Sequence, residues 1–519
     1  LVEPSTILSI FDGALLAIHW PSFPLIIIQK IAKLFERFAQ AKESTNPMNP
    51  TKSAISRRRF LMGSAAAATA LTMAPSEVFA KEKKKSPSDK LNIACIGVGG
   101  KGSSDITDAA TENIIALCDV DDEKYADLFN HCKENRPEAL PMLEKAKRYK
   151  DYRVMLEENE KIIDAVTVST PDHSHAPAAM IALKMKKHVW VQKPLTHTVH
   201  EARLLAEEAA RQGVTTQMGN QGHASEDARL MNEWIWDGAI GDVREVHVWS
   251  NRPIWPQGVE APTAIPSVPP SLDWNLWLGP AAWRPYHPDL CHFVWRGWYD
   301  FGTGAIGDMG AHIIDHPFWA LNLGRPQFVH ASSTELKSTS YPAAEIITYY
   351  FPERPGHPEA ESYGIQPKIG FPPVKMIWYD GGLTPPRFKE LEAGRKLGSG
   401  KGGVIYYGDK GILMSSEYGS SPRLIPETRM QEYTRPEKKI PRVKGHMEDW
   451  IESCKAGKKS FTDFSYAGPL TETMLLGCVA VRCKEANLLL EYDAVNGQFI
   501  NYADANPLLT KSYREGWTL

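Results

Sequence analysis

The chain has 519 residues, 43% hydrophobic and 23% charged, with a formal net charge of −3. That length exceeds a single core and predicts two main domains plus appendages, and the near-neutral balance, with no long basic block beyond Lys81 to Lys85, argues against nucleic acid as a partner. Seven scattered cysteines without a CxxC pair argue against a zinc ribbon or a disulfide framework, and Cys95 and Cys118 read as small buried hydrophobes.

Residues 1–47 precede Met48, and their apolar stretches are broken by Asp12, Pro21 and Pro24. They read as an over-extended or disordered start. The alternative is a membrane-associated amphipathic segment around Leu25 to Ala39. Ser56-Arg57-Arg58-Arg59-Phe60-Leu61 resembles a twin-arginine export signal, and Val78-Phe79-Ala80 fits a cleavage site. The apolar run from Leu61 to Ala74 is shorter than the about 20 residues that a spanning helix needs. Residues 48–80 are therefore expected to be a signal peptide read by the twin-arginine export machinery. The mature protein is expected to be periplasmic or otherwise exported, without a stable membrane span. Residues 81–90 form a polar linker.

From Leu91 the pattern changes. Ile93 to Ile96 is a short apolar run that enters Gly97-x-Gly99-x-x-Gly102. A strand ending in this spacing and opening a helix grips a dinucleotide pyrophosphate. Gly97 permits the tight turn, Gly99, with Gly100 beside it, lets the backbone approach the phosphates, and Gly102 lets the helix pack on the strand. The helix N-terminus offers free N–H groups to the anion. Ser103 to Ala110 follows as a helix, Asn113 to Cys118 as a strand closed by Asp119, and Tyr125 to Glu134 as a helix. Asp164 to Ser169 is a strand ending in Thr170-Pro171-Asp172-His173-Ser174-His175, and Pro177 to Leu183 a helix. Val189 to Gln192 is a strand ending in Lys193-Pro194, Glu201 to Arg211 a helix, and Thr215 to Met218 a strand that leads to Asn220. This alternation predicts a doubly wound parallel sheet, a Rossmann domain over residues 91–218. Its ligand crevice lies beyond the strand C-termini, where the glycine turn, Asp119, the Thr170 segment, Lys193 and Asn220 converge. Asp119 is placed to accept from a ribose 2′-OH, and can also cap the next helix. Asp121 and Asp122 would repel a 2′-phosphate, which favours NAD over NADP.

Residues 219–519 form the second domain. Ala224 to Trp236 has helical periodicity and Val243 to Trp249 alternates as a strand. Arg252 to Pro288 reads as a long ordered loop over the active site. Ten of the 15 tryptophans fall between Trp234 and Trp319. Trp234, Trp236 and Trp319 read as core, whereas loop tryptophans such as Trp295 could stack on sugar rings while His223, Arg296 and Tyr299 read hydroxyls. Asp308 and His312 lie four apart and share a helix face. On residue types alone an acid–base pair, a metal site completed by His316 and a structural helix stay open. Strands at Glu345 to Phe351 and Val374 to Tyr379, a glycine-rich mobile loop at Glu390 to Gly403, a hairpin of Val404 to Tyr407 with Gly411 to Ser415, and helices at His446 to Ala456 and Pro469 to Lys484 complete an α+β domain with a mainly antiparallel open sheet.

The order GxGxxG, Asp119, TPDHSH, Gln192-Lys193-Pro194 and GNQGH resembles the glucose–fructose oxidoreductase and inositol dehydrogenase family (Gfo/Idh/MocA) over most of the chain from Leu91. The resemblance makes Lys193 catalytic, His312 the proton acceptor and Asp308 its partner, and no metal is expected. The family usually carries glutamate before the lysine, where this chain has Gln192, so one local negative charge is missing. Cofactor contacts are expected from Gly97, Gly99, Gly100, Gly102, Asp119, Thr170, Pro171, His175, Gln192, Lys193 and Asn220. Substrate contacts are expected from His223, Trp295, Arg296 and Tyr299. The implied activity is NAD(P)-dependent hydride transfer at a carbohydrate or cyclitol hydroxyl carbon. Export further implies a tightly bound cofactor, and the resemblance implies a homo-oligomer, since in the family such sheets commonly form oligomer interfaces. The rival enzyme class is a redox-neutral glycosidase that oxidises a ring carbon transiently. A sugar sensor on an inactive fold is the third reading, against which stand Lys193, Asp308 and His312 together.

Overall fold

A computed structural model describes residues 90–365 and 370–519; the expected start region, signal peptide and most of the linker lie outside the described residues. The first sheet is wholly parallel. Its strands are β1 (Asn92–Ile96), β2 (Asn113–Cys118), β3 (Lys147–Tyr149), β4 (Ala165–Val168), β5 (His188–Val191) and β6 (Thr216–Met218), in the spatial order β3-β2-β1-β4-β5-β6. That is the doubly wound order with helices on both faces. β1, β4 and β5 carry near-continuous apolar runs because both faces are covered. β3 carries no such run: Lys147-Arg148-Tyr149 is a polar edge strand, fixed by pairing with β2 rather than by its own pattern.

The second sheet contains β7 (Val243–Ser250), β8 (Phe328–Ser333) and β9 (Glu345–Phe351). A separate two-stranded ribbon of β10 (Arg354–Pro355) and β11 (Gly370–Phe371) follows. Then come β12 (Val374–Tyr379), β13 (Gly402–Gly408), β14 (Gly411–Ser416), β15 (Arg423–Ile425), β16 (Leu490–Asp493) and β17 (Gln498–Phe499). Its nine strands run β15-β14-β13-β7-β12-β9-β8-β16-β17, antiparallel except for the β7–β12 pair.

Two late helices decide how the sheets are held. The Phe464–Arg482 helix packs on the Val199–Gln212 helix of the first sheet and on β8 and β9 of the second. It begins ahead of the expected Pro469, which lies inside it and cannot donate a backbone bond there. Glu472, fully buried on this helix, takes Arg203 at 2.6 Å and Arg325 at 2.7 Å. The His446–Ala456 helix, which sequence order groups with residues 219–519, covers the first sheet. Its Trp450 meets Trp190 of β5 edge-on at 5.9 Å, and Lys455 pairs with Glu112 at 2.6 Å.

The second sheet hides a carboxyl pair. Glu345 and Asp380 are both buried, and the Glu345 oxygens have no hydrogen-bond partner among the described residues. Burial and then the Asp380 charge push Glu345 well above the usual carboxyl range, and burial pushes Asp380 up to about 7 against the hydrogen bonds it accepts from Trp378 and the Glu345 N–H. The unfolded chain releases these protons near pH 4 while the folded chain keeps them to higher pH. The unfolded state therefore binds fewer protons in that window, and the pair makes the protein less stable as pH rises. Glu345→Gln should gain about 1–3 kcal/mol over the parent at pH 8 and much less at pH 5, read as the pH dependence of the difference in unfolding free energy.

Candidate active site

Beyond the C-terminal ends of β1, β2, β4 and β5 lies a cleft of about 740 Å³, within the range of ligand pockets. At one end is the glycine turn. Gly97 has φ +83°, and a side chain on Gly102 would run into the Gly97 carbonyl, so the helix Lys101–Ala109 can start this close to β1 only with glycine there. Gly100, also at positive φ, faces open space. This bare backbone at a helix start is a cradle that fits a pyrophosphate. Asp119, at the end of β2, accepts from the Val98 N–H at 2.8 Å and the Asp121 N–H at 3.0 Å, and burial raises its pKa.

At the other end stand side chains from both parts of the chain. Lys193 follows β5. Its Nζ donates to the Asp308 carbonyl at 2.7 Å and to the Asp308 carboxylate at 2.8 Å. Asp308 and His312 lie on the Gly304–Ile313 helix, which packs closely on the Phe464–Arg482 helix: a Cβ on Gly310 would stand 2.9 Å from Met474 Sδ. Thr303, at the start of that helix, donates to Asp172 at 2.7 Å and so ties it to the segment after β4.

The structure corrects the expected Asp308–His312 pairing. Asp308 Oδ1 takes Lys193 and, at 3.1 Å, Arg296 Nε, while His312 Nδ1 is buried without a hydrogen-bond partner among the described residues. Two cations at hydrogen-bonding distance outcompete a neutral ring for one carboxylate. Burial alone would raise the Asp308 pKa, but Lys193 and Arg296 hold it well below the carboxylate range. Burial and then the Lys193 charge lower His312 to about 3, so its ring is neutral at pH 7.

Of the expected cofactor residues, Gly97, Gly99, Gly100, Asp119, Thr170, Pro171, Gln192 and Lys193 line this cleft; Gly102, His175 and Asn220 do not. His175 is buried between the Thr170 carbonyl (2.7 Å) and the Pro194 carbonyl (2.8 Å), bracing the loops that carry Thr170 and Lys193. Asn220 is fully buried. Of the expected substrate residues, Trp295 and Arg296 line the cleft, and His223 and Tyr299 do not. The Asp315 carboxylate at 3.0 Å and the stacked face of Trp319 hold His223 in the core. Tyr299 packs on Tyr341, with Arg482 over its ring. His316 lies under Gly222 and Gly419, and among the described residues no three His, Cys, Asp or Glu side chains are placed to hold a metal ion.

Sequence reasoning missed Asp172, Arg252, Tyr418 and Trp517, which also line the cleft. Burial pushes Asp172 up to about 7 against the pull of Thr303, Arg296 and Lys193. The C-terminal segment carries Trp517, stacked under Arg153 at 4.2 Å, and Arg514, which donates to the Gly279 carbonyl at 3.1 Å and the Asn275 carbonyl at 2.8 Å. Asp172 lies inside the TPDHSH segment but was given no role there, and Tyr418 and Trp517 carried no local motif.

Gln192 has a specific reason to be an amide. Its Nε2 donates at 2.8 Å to Asp105, a buried carboxylate that also takes Ser169 Oγ and Lys101. A glutamate would face that carboxylate. Two carboxylates sharing one site raise a pKa by some two units, so Gln192→Glu should cost about 3 kcal/mol at pH 7 and less at pH 5, read from thermal unfolding at both pH values.

A family model described as "Oxidoreductase family, NAD-binding Rossmann fold" matches residues 91–220, and "Oxidoreductase family, C-terminal alpha/beta domain" matches residues 248–334. Both matches are to domains of the Gfo/Idh/MocA oxidoreductase family, and together they cover less than half of the chain. It is 26% identical over 192 residues to scyllo-inositol 2-dehydrogenase (NADP(+)) IolW of Bacillus subtilis (strain 168), covering 37% of this chain and 42% of that protein. It is 28% identical over 160 residues to a glycosyl hydrolase family 109 protein of Shewanella sp. (strain W3-18-1), covering 30% and 34%. The chain thus spans less than half the length of these relatives. The WlbA dehydrogenase of Bordetella pertussis, solved with NADH and UDP-GlcNAcA, shares the fold with a TM-score of 0.50 at 16% identity, over 78% of this chain and 100% of that one.

Proposed function

We propose that this protein is a Gfo/Idh/MocA oxidoreductase that oxidises a hydroxyl carbon of a sugar or cyclitol with NAD held in the cleft. The observation that carries this reading is the meeting of Lys193 and the Asp308–His312 helix, from opposite parts of the chain, in the cleft that also holds the glycine turn. The turn and Asp119 would hold the pyrophosphate and the ribose. A nicotinamide bound there supplies the two-electron acceptor for the hydride leaving the carbinol carbon.

The chain's own residues do the rest. An ammonium has three N–H donors, and Asp308 takes two of those on Lys193, which leaves one to turn toward a substrate oxygen. That donor stabilises the developing alkoxide. His312 is neutral, its Nδ1 is enclosed, and its Nε2 accepts the hydroxyl proton. Asp308 positions the ammonium rather than the imidazole.

Asp119, with Asp121 and Asp122 after it, supports NAD over NADP. The twin-arginine-like segment supports export, which favours a tightly held cofactor reduced and reoxidised in place. The open nine-stranded sheet, with Tyr350 exposed on it, supports a homo-oligomer. The glycosyl hydrolase relatives favour a second reading, transient oxidation within a redox-neutral glycosidase.

The test is to identify the nucleotide that co-purifies by mass, then to follow its absorbance with a panel of sugars, cyclitols and nitrophenyl glycosides. Net reduction by a sugar supports the oxidoreductase. Nitrophenol release without net reduction replaces it with the glycosidase. Absence of a bound or bindable nicotinamide nucleotide rejects both.

A further inference from the structure

The reacting end of the cleft is cationic. Lys193, Arg252 and Arg296 line it, against one fully ionised carboxylate, Asp308. Asp172 also lies there, but burial raises it so far that it carries only part of a charge at neutral pH. Gln192 supplies no charge, and the carboxylate behind it, Asp105, is already matched by Lys101 at 2.8 Å.

Neither arginine is used up. Arg296 gives Nε to Asp308 and Nη1 to the Phe293 carbonyl at 2.9 Å, and its Nη2 has no partner among the described residues. The rings of Trp295 and Phe293, at 4.4 and 4.8 Å from the guanidinium carbon, fix its plane. Arg252 donates to the adjacent Asn251 side chain, and no ion pair to it occurs among the described residues. Its backbone is anchored by the Gly381 N–H at 2.7 Å. Arg252 lines the same cleft as Tyr418, whose ring meets His312 edge-on at 5.1 Å. Arg296 thus touches the partner of Lys193, and Arg252 shares the cleft with both. The pyrophosphate cradle is elsewhere, where the glycine turn packs on Lys124 and Ser169.

Resting on the reading above, we propose that the substrate is an anionic sugar. Its carboxylate or phosphate group is held by Arg252 and the free edge of Arg296 while the reacting hydroxyl faces Lys193 and His312. Planar, always-charged guanidinium groups suit both anions, and the partial enclosure makes the pairing stronger than at a surface.

The test is calorimetric titration of the NADH-loaded protein with glucuronate, glucose 6-phosphate and glucose, for the parent and for Arg252→Gln. At least one anion should bind about tenfold or more tightly than glucose, and Arg252→Gln should remove most of that preference. Whichever anion binds tighter assigns the group as carboxylate or phosphate. Equal binding of glucose and both anions overturns the proposal, as does a preference that survives Arg252→Gln. Cofactor absorbance, read in parallel with NAD-loaded protein, separates the two ideas. Reduction without anion preference leaves the redox reading standing alone, and anion preference without reduction by any sugar strikes the redox reading only.

Discussion

Replacing His312 by alanine should slow reduction of the bound cofactor by sugar by about 10²–10⁴-fold, the usual weight of a positioned general base. Nucleotide binding should persist, because His312 stands at the far end of the cleft from the glycine turn. His312→Asn, closer in size, should be as slow and keeps the fold testable if the alanine variant is unstable. The pH profile sharpens this expectation. The base works only when unprotonated, and burial with Lys193 lowers His312 to about 3. The acid limb of kcat/KM assigned to His312 should therefore lie below pH 5, not near the ordinary histidine value. An acid limb near 6.5 that His312→Asn abolishes would show a ring far more solvated than this one.

Lys193→Met should cost about 10²–10³-fold in kcat, comparable with the loss of one donor to a developing oxyanion. The substitution keeps most of the length of the side chain and removes the charge that Asp308 faces at 2.8 Å. Arg296 still neutralises that carboxylate, so the loss should fall on turnover and not on folding. Combined with His312→Ala, the two effects should not add, since proton removal and alkoxide stabilisation serve one step. Rapid-mixing measurement of cofactor reduction, beside calorimetric nucleotide affinity, checks both variants. Normal turnover in either would remove that residue from the mechanism.

Much of this site was legible in the sequence because its parts are local. Gly97-x-Gly99-x-x-Gly102 after an apolar run states its own geometry, and Lys193 ends a strand whose position in a parallel sheet fixes the edge it reaches. The i, i+4 spacing brought Asp308 and His312 to one face, but spacing could not say which charge Asp308 would take. That was decided by Lys193 and Arg296, which arrive from the end of β5 and from the short 3-10 helix Phe293–Gly297. The same limit hid Tyr418 and Trp517, whose places in the cleft come from tertiary contacts alone, and left Asp172 and Arg252 without a role although their segments were expected there. It misplaced His223, because the Asp315 carboxylate and the Trp319 ring draw an apparently available imidazole into the core. Strand β3 lacked any alternating signal, and the His446–Ala456 helix shows an apolar face without naming the sheet it covers.

The central claim is that hydride passes from a sugar carbon to a nicotinamide held between Lys193 and His312. The most direct test is a single turnover of the NAD-loaded protein with a substrate sugar deuterated at its carbinol carbons, followed by mass analysis of the cofactor. The account predicts reduced nicotinamide carrying one deuterium from the sugar, formed more slowly than with the unlabelled sugar. Unlabelled reduced cofactor, or deuterium released to water without cofactor reduction, would contradict it.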